Sequence, residues 1–272
     1  MVNARDLWLV MLVMALLNGA MGTLSVGVWR NVLGCEIARK LLHVGMGIVT
    51  LFFPLLFRDA WPVLLLCLLT TIEMLVLRHA RFLRFLLAGA LDGVQRRGWG
   101  EFAFIGAVTI LFIAARGDTV LYVAPLLLLV LADAAAALCG TRYGRTFYVF
   151  AGARKSVEGS LAFGVVALMS TLIVLLMSHI EVQRALPLAL AIAAATTLVE
   201  AIASRGCDNL LVPLCAFVLL KFSLTQNVPM LWLEAALCMV PTVFCLLVLC
   251  RRAYVALRAS TKNVVATRAG WR

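Results

Sequence analysis

Long apolar runs separated by short charged connections form the dominant pattern of this chain. Nine runs are predicted as helices: residues 7–28, 41–57, 60–78, 102–115, 119–139, 160–180, 185–203, 210–224 and 230–250. Most approach the ~20 residues a helix needs to cross a bilayer. The fourth and eighth are shorter, which suits a tilted or broken helix shielded by its neighbours. The first is too long for the apolar core of a signal peptide and follows a single arginine, so it is read as a membrane helix. The expected fold is therefore an all-α, polytopic membrane protein with about nine transmembrane helices, or eight if one short run fails to cross. Residues 1–272 are read as a single transmembrane domain.

The connections alternate in charge. Residues 29–40 hold Arg30, Arg39 and Lys40 against Glu36, and 140–159 hold Arg142, Arg145, Arg154 and Lys155 against Glu158. Residues 79–101 carry four arginines against Asp92 and Glu101, and the tail after 250 is basic throughout. The intervening connections are near neutral. Positive residues gather on the cytoplasmic side of membrane proteins, so the N-terminus is expected outside and the C-terminus in the cytoplasm. Residues 79–97 flank apolar positions with arginines, as in a basic helix lying in the cytoplasmic interface or a snorkelling loop.

Composition agrees with this pattern. Apolar residues make up 64% of the chain and charged residues only 14%, against about 25% charged in soluble domains. The net charge of +11 follows the loops rather than an aromatic-interleaved basic face, which argues for contact with anionic lipids and against nucleic acid. The eight cysteines form no Cys-x-x-Cys pair and lie mostly in apolar runs, where cysteine acts as a small hydrophobe. The three histidines form no zinc-type cluster.

Against so apolar a background, the acids stand out. A carboxylate in a membrane helix is costly and usually faces protein or water. Asp133, Glu158, Glu200 and Asp208 fall inside or at the edge of apolar runs, and Glu73 is read as a structural hydrogen-bonding group. Asp133, Ala137, Gly140 and Gly144 share one small helix face. Such a face is either a packing seam or a surface that admits a nucleotide or metal to the backbone. In the second case Arg142 and Arg145 supply phosphate contacts. Ser156 is a candidate N-cap, so the following helix start beside Lys155 offers a phosphate site. Glu158 suits either the helix dipole or a magnesium ion. Glu200 lies before a break at Gly206, and Asp208 is a candidate cap for the segment that contains Asn209 and Pro213.

Five pieces occur in order: Arg39-Lys40-Leu41-Leu42-His43-Val44-Gly45, Gly100-Glu101, Asp133 to Gly144, Lys155-Ser156-Val157-Glu158-Gly159-Ser160, and Glu200 with Asp208-Asn209 and Pro213. Over residues 36–225 they make the chain similar to the CTP-dependent polyprenol kinase family, which includes phytol and dolichol kinases, within the wider phosphatidate cytidylyltransferase group. That resemblance implies a multi-pass inner-membrane enzyme with its site facing the cytoplasm. It would transfer the γ-phosphate of CTP to a membrane lipid alcohol. The resemblance also implies magnesium near Asp133, Glu200 and Asp208, and CTP phosphates on Lys155. Asp133, Lys155, Glu158, Glu200, Asp208 and Asn209 are the expected catalytic set. Gly140, Arg142, Gly144, Arg145, Ser156, Gly159, Arg39, Lys40 and His43 are expected around the phosphates. Ala132 stands where the family usually has glycine. The late Gly-His-Gly-Gly segment of cytidylyltransferases is absent, which favours the kinase branch over a CDP-lipid synthase. A transporter is the alternative from another class, but it predicts inverted repeats that the chain does not display. The acceptor (phytol, polyprenol, diacylglycerol or another alcohol) and the oligomeric state stay open at this level.

Overall fold

The computed structural model describes residues 3–31, 35–79, 99–204 and 206–269, without the side chains of Trp29, Cys35, Glu36, Arg39, His79 and 254–269. The basic segment predicted at 79–97 lies outside the described residues, apart from its first residue. Each of the nine apolar runs lies on a helix. In chain order these are α1 (Ala4–Trp29), α2 (Cys35–Leu51) with a short α3 (Phe53–Leu56), α4 (Ala60–His79) and α5 (Gly100–Ala115). A long broken helix follows, made of α6 (Thr119–Leu127), a π-helical turn (Leu128–Ala132) and α7 (Asp133–Tyr143). After a hairpin come α8 (Val157–Met177), α9 (Val182–Ile202), α10 (Asp208–Ser223) and α11 (Val228–Ala269). Among the described residues, six helices are long and apolar enough to cross a membrane, and the apolar stretches Lys40–Leu56 and Gly100–Ala115 are shorter. The outer surface keeps large side chains such as Trp8, Met177 and Phe244 exposed, as expected where the solvent is lipid.

The broken helix is the central element because both halves of the molecule pack on it. Tyr122, Leu126, Leu129 and Val130 join a core with α1, α2, α4 and α5. Ala124, Leu128 and Ala132 join a second core with α8, α9 and α10. Pro125 lacks the amide proton an α-helix needs, and the turn three residues later widens into π geometry. Such bulges recur at functional sites. Here the bulge ends immediately before Asp133.

Helix α2 reaches this turn through Gly47. A Cβ at that position would overlap the buried side chain of Val130. Gly47→Ala is therefore expected to lower stability by about 1–3 kcal/mol through overpacking, read as a fall in melting temperature in detergent. Adding Val130→Ala should restore most of the loss, and an unaltered melting temperature in Gly47→Ala would contradict the close approach.

The described residues are mostly helical, consistent with the all-α expectation, and residues 140–159 add a short antiparallel hairpin, β1 (Phe147–Phe150) and β2 (Ala153–Ser156). Its two-residue turn, Ala151-Gly152, has positive φ at both positions (46° and 82°), the geometry that matches strand twist in tight hairpins. The strands alternate faces. Tyr148 and Lys155 pair directly across the hairpin, with Tyr148 buried and Val149 and Phe150 exposed. Arg154 closes the outer face, its guanidinium carbon 4.2 Å from the centroid of Phe147.

Candidate active site

The starts of α2, α5, α8 and α10 and the end of α9 meet at one end of the bundle, where two lysines hold the buried Glu200 and the half-buried Asp133 and Asp208. On α2, Lys40 Nζ donates to Asp133 Oδ2 at 2.6 Å. One turn on, His43 Nε2 lies 3.9 Å from the same oxygen and 3.3 Å from the Leu129 carbonyl in the π turn. Its ring packs edge-on against Phe104, 5.1 Å between centroids. The widened turn thus gives α2 both a carbonyl and a carboxylate to hold.

The second pair is built by the hairpin. Lys155 Nζ donates to Glu200 Oε1 at 2.8 Å and to the Glu200 carbonyl, and lies 3.6 Å from Asp208 Oδ2. Glu200 is only 6% exposed, so its charge depends on these partners. Ser160 donates to Glu200 Oε2 at 3.0 Å. Ser160 has a single hydroxyl proton and spends it there, so Tyr148 Oη, 2.8 Å away, is the donor to Ser160. Burial pushes the Tyr148 phenol up to about 12, which keeps that proton in place.

Glycine and asparagine fix the break after α9. Gly206 has φ +86°, and a Cβ there would meet the backbone of Gly100 at 2.5 Å. Asn209 Nδ2 donates to the Gly100 carbonyl at 2.9 Å. The start of α5 is thereby joined to the start of α10. Asp208 is the first residue of α10 rather than its cap; its Oδ1 accepts from the Asn209 amide at 3.2 Å.

The expected site residues separate into groups. Asp133, Lys155, Glu200, Asp208, Asn209, Lys40 and His43 come together at this end of the bundle. Ser156 caps α8, its hydroxyl accepting from the Gly159 amide at 3.1 Å. Gly140, Gly144 and Gly159 are closely packed: an added Cβ would meet the Ser156 hydroxyl at Gly140, the Gly140 carbonyl at Gly144 and the Ala136 carbonyl at Gly159, so the face read as open to a nucleotide is covered at these positions. Glu158 turns away from the acids, and both its oxygens accept from the Thr146 amide, at 3.0 and 3.2 Å, anchoring the start of the hairpin. Arg142 and Arg145 are exposed, and Arg142 lies over Tyr143 instead of the carboxylates. The side chain of Arg39 lies outside the described residues. Glu73 accepts from Asn18 at 3.5 Å, as a structural hydrogen-bonding group would.

Asp133, Glu200 and Asp208 do not form one set of metal ligands, because Asp133 is tied to Lys40 while the other two share Lys155. No group of three or more His, Cys, Asp or Glu able to hold a metal occurs among the described residues. Two carboxylates converging on one cation do fit magnesium, which is commonly bound by one or two carboxylates together with substrate phosphates. Tyr148 and Ser160 were absent from the sequence-based set. Their signal was weak: a tyrosine in a short aromatic run, and a serine one turn into an apolar helix.

Fold and site together define a multi-pass helical membrane protein with buried lysine–carboxylate pairs gathered at one end of its bundle. The chain is similar to the phytol kinase of Synechocystis sp., with 28% identity over 181 residues that cover 66% of this chain and 76% of that protein. This similarity supports a phytol-kinase-like family. No family model matches the chain, and no solved structure does.

Proposed function

We propose that this protein is a CTP-dependent lipid-alcohol kinase, working at the cytoplasmic face of the inner membrane. The observation that carries the reading is Lys155, held between Glu200 and Asp208 beside the capped N-terminus of α8. The similarity to a phytol kinase supports it. Phosphoryl transfer asks a protein mainly for positioning and charge neutralisation. Paired lysines and carboxylates suit a magnesium triphosphate, since its anionic and cationic parts can exchange with the two members of each pair. Lys155, beside the positive dipole end of α8, would take the phosphates. Lys40 and His43, and Arg39 in the same segment, would act on the same anion or the acceptor. Glu200 and Asp208, which share Lys155, would hold magnesium, which when bound neutralises charge on the phosphates.

In this reading a bond forms between the alcohol oxygen and the γ-phosphorus. The bond from that phosphorus to the β,γ-bridging oxygen breaks, and its electron pair leaves with CDP. The hydroxyl proton passes to a carboxylate, for which Asp133 is the first choice and Glu200 the second.

The test follows label in purified protein with magnesium and a panel of lipid alcohols. Label from γ-labelled CTP should enter the lipid, and label from α-labelled CTP should stay in CDP. Lipid-bound α-label with released pyrophosphate would replace the kinase by a cytidylyltransferase. Equal use of ATP would remove the CTP assignment.

A further inference from the structure

A cavity runs between α1, α2, α4 and α5, next to the charged end of the bundle. About 110 Å³ of it is open to a water-sized molecule. Its shape follows from the residues along one wall. Leu42 and Thr50 of α2 both line it, and eight residues of helix rise about 12 Å. Phe53 lies beyond them. At that far end Val13, Phe53 and Leu66 are buried and line the cavity.

The lining changes character from one end to the other. Polar groups cluster at His43, Gly100, Glu101 and Asn209. The rest is hydrocarbon in practice, because Thr50 and Thr70 turn their hydroxyls onto carbonyls of their own helices, each at 2.8 Å. Glu101, in the first turn of α5, makes no hydrogen bond or ion pair among the described residues.

The polar end backs directly onto both lysine–carboxylate pairs. His43 is 3.9 Å from Asp133, and Asn209 follows Asp208, whose carboxylate is 3.6 Å from Lys155. A molecule with one apolar chain and one hydroxyl, seated here chain-inward, would present its oxygen beside the proposed phosphate site.

We infer that this cavity is the acceptor site and takes the apolar chain of a lipid alcohol, with the hydroxyl at His43, Glu101 and Asn209. Calling the occupant an acceptor rests on the kinase reading; its seat in the cavity does not.

The experiment uses the full chain in nanodiscs and a phytol analogue with a photoreactive diazirine at the tail. Crosslinks are expected on cavity residues such as Val13, Leu17, Leu66 and Thr70. Excess phytol should abolish them. Crosslinks confined to outward-facing Leu12, Leu16 and Leu68, or no crosslinks that phytol competes, would overturn the site. Cys67→Phe, which fills the cavity from α4, should raise the KM for phytol at least tenfold and leave that for CTP unchanged. Unchanged KM values for both would also count against the site. Cavity crosslinks without phosphoryl transfer would retire the kinase and leave the lipid site. Transfer with crosslinks elsewhere would do the reverse.

Discussion

Lys155→Met is expected to lower kcat/KM for CTP on the order of 10²–10³-fold, the range for losing one preorganised electrostatic contact to the reacting group. The same change should destabilise the fold. Lys155 faces the buried Glu200 at 2.8 Å and Asp208 at 3.6 Å. Without it the buried Glu200 carboxylate loses its cation, a situation that costs roughly 3–5 kcal/mol when one partner of a buried pair is removed. The two effects can be separated. Lys155→Met combined with Glu200→Gln deletes the stranded charge and should recover much of the melting temperature, while activity stays at the level of the single variant. Residues this close are expected to be strongly non-additive. Near-normal transfer by Lys155→Met would mean that the lysine only neutralises its neighbours, and the proposed phosphate site would go with it.

The second large effect is expected at Asp133. Asp133→Asn keeps the shape of the side chain, removes the charge and weakens the 2.6 Å contact to Lys40. If this carboxylate takes the hydroxyl proton, kcat should fall by on the order of 10²–10⁴, with a much smaller change in the KM for CTP. A variant that loses CTP affinity while keeping kcat would assign Asp133 to ground-state binding and move the proton to Glu200. Initial rates across a CTP series in nanodiscs give both constants at once.

Much of this site was legible because charge is conspicuous in an apolar chain. Asp133, Lys155, Glu200 and Asp208 stand out where almost every neighbour is hydrophobic, and Lys40 and His43 sit one turn apart at a helix start. What the chain could not display was who meets whom. Lys40 and Asp133 are 93 positions apart, and Lys155 and Glu200 are 45 apart. Glu158 shares a segment with Lys155 yet serves Thr146, because its turn of α8 faces the hairpin. The helices themselves were visible from hydropathy, with ends displaced by a few residues where polar caps such as Ser156 extend them. The hairpin escaped because its strands are four residues long, too short for alternation to show. Tyr148 escaped with it.

The π turn has a further consequence, in angular phase. An α-helix advances about 100° per residue, so one extra residue in a turn rotates everything after it by about that amount relative to everything before. The segment from Thr119 to Tyr143 is therefore a single rod cut with two keys. Before the turn, Tyr122 and Leu126 engage the half that contains the cavity. After it, Asp133 meets α2, and Ala136 and Gly140 mesh with Gly159 and Ser156 at the foot of the Lys155 hairpin. A small roll of this rod would move the Asp133 contact and the seat of Lys155 together, so the two charged clusters are geared to one axle.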